Sequence, residues 1–263
     1  IKKVQHELIN ALEKAEESNR LKSAFLAQMS HEIRTPLNVI LTSVPILADE
    51  IGEKDNDTQT IINSVGSAGK RLQRTIDMIL NLSAVQSGNY KPDFEVINIE
   101  NELRKLVGEV RSLSDEKGLE LIFTSSVKDP YVYADIYTVN QIFQNLIGNS
   151  IKYTHRGFIK VMIEDTINDS LVIHVQDTGI GMSKEFMDKI FSPFSQEDIG
   201  QKRQYEGNGL GLALVKKYVE INNANIGVQS RKKKGSVFSV VFKKHNELEV
   251  VHEKTDKVLM KSA

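Results

Sequence analysis

The chain has 263 residues, which is the size of one large domain or two small ones. Its 34 Lys and Arg residues nearly balance its 35 Asp and Glu residues. It contains no Cys, and this excludes a disulfide framework, Cys-ligated zinc, iron–sulfur clusters and thiol catalysis. The balanced charge offers no basic module for nucleic acid, and the sequence lacks the run of about 18 apolar residues that predicts a membrane span. The chain begins at Ile1 rather than Met, so we expect it to be part of a longer protein.

Apolar residues recur every three or four positions along residues 1–88, which predicts two long amphipathic helices. The polar stretch 52–57 separates the helices, and the second one stops at 87–89. A lone hairpin cannot bury an apolar face on each helix, so we expect a homodimer through residues 21–90 that forms a four-helix bundle. The alternative is a monomeric hairpin that packs on its neighbouring domain.

Beyond Pro92, short β-like runs alternate with helical stretches. This interleaving predicts a two-layer α/β sandwich, and the fold class of the whole chain is therefore α+β. The predicted strands are Phe94–Ile97, Leu119–Thr124, Phe158–Ile163, Leu171–Gln176, Ile226–Gln229 and Val237–Phe242, and the predicted helices lie near 99–116, 135–152 and 208–222. The expected segments are 1–20 as a coiled-coil linker, 21–90 as the hairpin, 91–245 as the sandwich and 246–263 as a tail or linker.

A histidine occupies the middle of the first helix, in the sequence SHEIRTPL. Glu32 follows His31 directly and can hold one ring nitrogen protonated while the other keeps its lone pair as a nucleophile. Thr35 lies one turn along the same face, and Pro36 costs a helix interior about 3 kcal/mol. A single helical histidine is more often an ordinary surface or core residue, but these neighbours favour a nucleophile.

Two amides and a lysine share one face of the next predicted helix, in the order Asn145, Asn149 and Lys152. Amide oxygens suit a hard cation and an ammonium group suits phosphate, so this face fits a magnesium-bound polyphosphate. A solvated polar stripe is the alternative interpretation.

Two glycine clusters complete the candidate site, DTGIGM at 177–182 and GNGLGL at 207–212. Glycine lets the backbone approach a ligand closely, and the second cluster opens a helix whose N-terminus offers free N–H groups to phosphate. Neither cluster fits the Rossmann or Walker pattern. Between them, Phe191 and Phe194 are expected to anchor a mobile loop, with ordinary core packing as an equal alternative.

In this order the motifs resemble the catalytic core of a bacterial-type sensor histidine kinase, over roughly residues 20–243. The sequence around His31 is similar to that family's H box. The sequences at 145–149, 177–181, 191–194 and 207–211 are similar to its N box, first glycine box, F box and second glycine box. The resemblance implies a dimerisation and histidine-phosphotransfer hairpin followed by a gyrase/Hsp90-like ATP-binding domain.

The resemblance also implies roles for individual residues. His31 attacks the γ-phosphorus of ATP, Glu32 orients the ring and accepts its proton, and Thr35 positions water for dephosphorylation of a partner's aspartyl phosphate. Asn149, together with Asn145, holds Mg²⁺ against the phosphates. The expected ATP-binding residues are Asn145, Asn149, Lys152, Tyr153, Asp177, Gly179, Gly181, Phe191, Phe194, Gly207, Gly209, Leu210 and Gly211, with Asp177 accepting a hydrogen bond from the adenine amino group and the glycines shaping a lid over about 183–210.

Two positions depart from the family's pattern. Many relatives carry an Arg near Gln196, which leaves Lys202 or Arg203 as substitutes here, and Pro45 adds a second proline to the first helix. Neither departure removes a residue that the chemistry requires.

The implied function is an ATP-dependent protein-histidine kinase that passes phosphate from His31 to an aspartate of a response-regulator receiver domain. The rivals are an ATPase of the same fold and a nucleotide-sensing or phosphatase-dominated regulator. Asn145 argues against the ATPase, because related ATPases carry a Glu there and an amide cannot activate water. No nucleic-acid partner is expected, this portion is expected to be cytoplasmic, and any membrane contact belongs to parts of the parent protein outside this chain.

Overall fold

The computed structural model describes Ser30 and residues 33–47, 56–166, 168–197 and 208–245. The chain divides into two compact units, Ile1–Lys91 and Pro92–Ala263. The predicted linker at 1–20 and tail at 246–263 lie outside the described residues.

The described residues of the first unit form two helices. Residues 33–47 form α1, which continues through both Pro36 and Pro45, and Asn56–Gln86 form α2. The two helices approach closely where α2 carries glycine, because a Cβ on Gly69 would lie 2.7 Å from the Leu41 side chain. Leu37 lies at the same contact, and Leu37, Ile62 and Ile76 are buried apolar residues along these helices.

An ion pair fastens the same two helices, since Arg34 Nη2 lies 2.5 Å from Asp77 Oδ1. The opposite apolar stripes of both helices are exposed in the single chain. They comprise Ile33, Ile40 and Leu47 on α1, and Ile61, Val65 and Leu72 on α2.

The second unit is an α+β sandwich with a five-stranded sheet in the order β2-β4-β5-β7-β6 and a separate two-stranded sheet β1-β3. The β2–β4 pair is parallel and all the others are antiparallel. The strands are β1 Phe94–Asn98, β2 Glu120–Ser125, β3 Tyr131–Asp135, β4 Phe158–Asp165, β5 Ser170–Asp177, β6 Asn225–Arg231 and β7 Gly235–Lys243. The helices are α3 Ile99–Glu109, α4 Arg111–Glu116, α5 Ile136–Tyr153, α6 Lys184–Met187 and α7 Gly211–Ile221.

The core lies between the large sheet and helices α3, α5 and α7. Strands β4, β5 and β7 alternate buried and partly exposed residues, as a sheet with one covered face requires. Their register aligns Val161 with Val175 and Val175 with Phe238 across the covered face. Leu146 and Leu214 bring the apolar sides of α5 and α7 to this layer, and both are 1% exposed or less.

A buried polar network fixes the start of α5. Asp135 Oδ1 accepts the Thr138 N–H at 2.8 Å as the N-cap of the helix. Asn222, at the end of α7, accepts the Asp135 N–H at 2.8 Å and donates to Thr138 Oγ1 at 2.7 Å. The Asp93 N–H donates to the second carboxylate oxygen of Asp135 at 2.7 Å. Both helices and the beginning of the unit are thereby joined through one set of hydrogen bonds.

The sequence prediction of fold class is confirmed, with differences in four elements. Strand β3 was not predicted, and it pairs with β1 rather than with the large sheet. The helix predicted near 99–116 is two helices, because Val110 leaves the helical conformation with φ −96° and ψ 1°. The short helix α6 was also missed, and α7 begins at Gly211, three residues later than predicted.

Among the described residues, no helix combines the length and the apolar character needed to cross a membrane.

Candidate nucleotide-binding site

Helix α5 carries the polar face predicted from the sequence. Asn145 donates its amide N–H to the Gln141 carbonyl at 2.8 Å, which turns its oxygen toward the start of α7. A Cβ on Gly211 would lie only 2.8 Å from that oxygen, so glycine allows the second cluster to approach this face. Asn149 is partly exposed on the same face.

The end of α5 carries the next two predicted residues. Lys152 Nζ donates to the Tyr153 hydroxyl at 3.1 Å and lies 4.7 Å from the centre of the Tyr153 ring. The structure therefore holds the ammonium group beside an aromatic ring, at the same end of the helix as Asn149.

Asp177 ends strand β5 in a buried position. Its Oδ1 accepts the backbone N–H of Gly179 at 2.8 Å and that of Ser236 at 3.3 Å. Burial raises the pKa of Asp177, and the N–H groups of Gly179 and Ser236 offset part of this rise. A buried carboxylate that is held by two backbone donors is a fixed hydrogen-bond acceptor.

The first glycine cluster packs around this carboxylate. A Cβ on Gly179 would lie 2.5 Å from the Tyr153 carbonyl oxygen and 2.9 Å from Thr154 Oγ1. The Thr154 hydroxyl is buried and has no hydrogen-bond partner among the described residues. A fixed carboxylate acceptor such as Asp177 fits the amino edge of a nucleobase.

The second glycine cluster contacts the aromatic motif. The Phe194 N–H donates to the Gly209 carbonyl at 2.9 Å, and Gly209 has φ +68°. Phe194 itself has φ +62° and its side chain is 68% exposed, so it does not pack in the core, whereas Phe191 is partly buried. Leu210, which precedes α7, is buried.

The structure thus brings several of the predicted site residues of the second unit together in pairs. Asn145 meets Gly211, Asp177 meets Gly179, and Phe194 meets Gly209. Gly181 has φ +62° and packs against the β6–β7 turn. Thr35 is an exposed residue of α1, in the first unit. His31, Glu32, Gly207 and the possible substitute cations Lys202 and Arg203 lie outside the described residues.

Sequence reasoning missed two groups at this site. The Ser236 N–H is a backbone donor at the start of β7, and no side-chain pattern signals it. The Thr154 hydroxyl follows the polar face of α5 directly, and its position after Tyr153 could have suggested it.

The candidate site offers a metal ion only a small number of protein ligands among the described residues. In the part of the chain that the structure describes, no three His, Asp or Glu side chains come together as a metal site. The amide oxygens of Asn145 and Asn149 are hard ligands of the kind that Mg²⁺ accepts alongside phosphate oxygens. The donor set therefore fits a cation that arrives with a polyphosphate.

The fold and the site define a class of protein. Residues 134–246 match the family described as histidine kinase-, DNA gyrase B- and HSP90-like ATPase, and this unit is therefore of an ATP-binding kind. Residues 21–88 match the His Kinase A (phospho-acceptor) domain.

With both domains present in this order, the chain belongs to the sensor histidine kinases of two-component systems, and it carries their catalytic core. It is 32% identical over 236 residues to the autoinducer 2 sensor kinase/phosphatase LuxQ of Vibrio parahaemolyticus, covering 88% of this chain and 27% of that protein. It is 31% identical over 254 residues to the cell-division control histidine kinase PdhS of Brucella ovis, covering 92% of this chain and 24% of that protein. The chain thus spans about a quarter of the length of these curated relatives.

Solved structures give the same result. Full-length ShkA in complex with AMPPNP superposes with a TM-score of 0.70 at 26% identity, over 82% of this chain and 45% of that one. The Acinetobacter baumannii histidine kinase AdeS, at 21% identity and a TM-score of 0.57, shares the fold.

Proposed function

We propose that this chain binds ATP with Mg²⁺, transfers the γ-phosphoryl group to His31, and passes it on to an aspartate of a response-regulator receiver domain. The observation that carries the proposal is the buried Asp177 carboxylate, which two backbone N–H groups hold in place beside the closely packed Gly179. A carboxylate acceptor in this place selects a purine that presents an amino group. The proposal is supported further by the AMPPNP that the ShkA structure contains.

In this proposal, residues of α5 bind the phosphate groups of ATP. Asn149 and Asn145 would hold Mg²⁺, which when bound would neutralise negative charge on the phosphate oxygens. Lys152 supplies a positive charge near the phosphates. Asn145 is an amide and cannot take a proton from water, so hydrolysis of ATP is not assisted and the phosphoryl group is kept for the histidine.

The transfer step needs a nitrogen nucleophile. A ring nitrogen of His31 attacks the γ-phosphorus, the bond from that phosphorus to the β–γ bridging oxygen breaks, and ADP leaves. Glu32 accepts the proton from the other ring nitrogen as positive charge develops. Thr35, one turn further along α1, positions water for the opposite reaction on the phosphorylated regulator, and the kinase/phosphatase description of the relative LuxQ is in keeping with this.

The chain acts as a homodimer through residues 21–90 in this proposal. The exposed stripes of α1 and α2 repeat at heptad-like spacing, as in Ile33, Ile40 and Leu47. A second copy would cover these stripes and complete a four-helix bundle. We place this portion of the protein in the cytoplasm, where ATP and receiver domains are found.

The test is incubation of the chain with γ-labelled ATP and Mg²⁺. We expect label on the protein that is acid-labile and base-stable, present in His6→Gln and absent in His31→Gln. The His6→Gln control removes a histidine of the same chain outside the motifs. Release of label only as free phosphate would indicate an ATPase instead, and the absence of any turnover would indicate a nucleotide-sensing scaffold.

A further inference from the structure

The β6–β7 turn packs against the loop that follows Asp177. The Lys233 N–H donates to the Ile180 carbonyl at 2.6 Å, and the Met182 N–H donates to Ser230 Oγ at 2.9 Å. A Cβ on Gly181 would overlap the Arg231 carbonyl. Two hydrogen bonds and one glycine contact therefore set the position of the loop 178–183 against this turn.

The carboxylate of Glu197 also connects the loop 178–183 to this turn. Glu197 Oε1 accepts the Ser183 N–H at 2.9 Å and lies 3.1 Å from Lys232 Nζ. The hydroxyl of Ser183 accepts the Phe186 N–H at 3.2 Å as the N-cap of α6. Glu197 thus joins the end of the loop 178–183, the start of α6 and the β6–β7 turn.

Glu197 is ionised in this setting. Burial works to raise its pKa, but the hydrogen bonds from Lys232 and Ser183 together outweigh burial and lower it. The Glu197 side chain is 20% exposed and that of Lys232 is 63% exposed, so the ion pair is screened and adds little to global stability. Its effect is local, on the geometry of the loop.

The turn also reaches the Asp177 carboxylate directly. The Ser236 N–H donates to Asp177 Oδ1, and Ser236 Oγ lies 2.9 Å from Ser230 Oγ, the same hydroxyl that accepts the Met182 N–H. A shift of the turn would therefore move Ser236, a donor to Asp177, together with the loop 178–183 that begins just beyond that carboxylate.

We infer that Glu197 and Lys232 are positioning residues, which hold the Asp177 loop in the geometry that distinguishes adenine from guanine. The inference rests on the proposed function, because it assumes that Asp177 contacts the base. An ionised acceptor attracts the amino group of adenine and repels the carbonyl that guanine presents at the same ring position. A loosened loop would lose part of this discrimination, while the phosphate contacts on α5 remain.

The experiment measures the affinities of the whole chain for ATP and GTP by titration calorimetry. Lys232→Met removes the ion pair, and we expect ATP affinity to fall about two- to fivefold. Glu197→Ala also removes the acceptor for the Ser183 N–H, and we expect a fall of about tenfold. In both variants GTP affinity should change less, so that the ATP/GTP ratio falls, and kcat at saturating ATP should stay near that of the wild type.

Two control variants separate positioning from damage to the fold. Lys232→Arg keeps the charge and should retain the wild-type ATP/GTP ratio. Lys234→Met removes an exposed lysine of the same turn and should change neither affinity nor ratio. Equal losses for ATP and GTP in Glu197→Ala, or an unchanged ratio in both Glu197→Ala and Lys232→Met, would overturn the inference. Failure of the wild-type chain to bind ATP would instead overturn the proposed function.

Discussion

At the scale of single residues, protonation of Asp177 has opposite effects on folding stability and on ATP affinity. Its burial raises its pKa, so the folded chain takes up a proton at a higher pH than the unfolded chain does. By linkage, this residue's contribution to folding stability is fully present below the unfolded pKa and is lost as pH rises through the folded pKa. In the proposed function the adenine amino group binds the ionised form more tightly, so ATP affinity changes with pH in the opposite direction.

We therefore predict that ATP affinity weakens as the pH falls through the raised pKa of Asp177. Over the same pH range, protonation of Asp177 should raise the melting temperature of the nucleotide-free chain. Asp177→Asn can keep both backbone hydrogen bonds through its amide oxygen, but it turns a donor toward the ligand. We expect ATP affinity roughly 10–100-fold below wild type. Fluorescence titration with an ATP analogue across pH would check this, and a pH step of undiminished size in Asp177→Asn would contradict it.

At the scale of elements, the beginning of α5 depends on a residue at the end of α7. Asn222 is buried and connects the Asp135 backbone to the Thr138 hydroxyl. It also donates to the Tyr218 carbonyl at 2.8 Å. Because these groups are buried, removal of the amide would leave them without partners.

We predict that Asn222→Leu, which keeps the branched shape of the side chain but removes its hydrogen bonds, lowers the stability of the second unit by about 2–3 kcal/mol. The matched control is Asn101→Leu on the exposed side of α3, for which we expect a change within about 0.5 kcal/mol. Thermal unfolding followed by circular dichroism would compare the two variants. Equal melting temperatures would show that the network adds nothing to stability.

The exposed stripe of α2 gives a second prediction at this scale. Val65 and Leu72 are 46% and 49% exposed in the single chain, which is unusual for two apolar residues aligned on one helix face. We expect Val65→Glu combined with Leu72→Glu to convert a dimer into a monomer, because two carboxylates per chain would be buried in the interface. Light scattering coupled to gel filtration measures the mass.

Ser67→Glu is the control for this change, since Ser67 is an exposed polar residue of the same helix and should leave the dimer intact. A wild-type chain with the mass of one copy would favour the monomeric hairpin instead.

At the scale of the whole molecule, most of the architecture could be predicted from residue periodicity. The alternation along β4, β5 and β7 and the helical spacing of α5 are strong signals, and the site residues Asn145 and Asn149 follow from the same spacing. Strand β3 was not predicted because its five residues are too short for a clear alternating pattern. It belongs to the small sheet and not to the large one.

The contacts around Asp177 could not be predicted for a different reason. Glu197 and Lys232 are ordinary charged residues, 35 positions apart, and only the fold places them together. Ser236 contributes through its backbone N–H, which every residue except proline possesses. Motifs therefore predicted the candidate ligand-binding groups, whereas the groups that support them became visible only in the tertiary structure.

The small β1–β3 sheet brings the first strand of the second unit close to the last described residues. Strand β3 pairs with β1 on one side, and on the other side Val132 forms a bridge with Lys244 while the His245 N–H donates to the Tyr131 carbonyl at 2.9 Å. The first strand and the last described residues thus flank the same strand, separated by two strand spacings, or about 10 Å. A domain whose ends lie close together can be inserted into another chain or circularly permuted with little disturbance. The described part of this unit has that geometry.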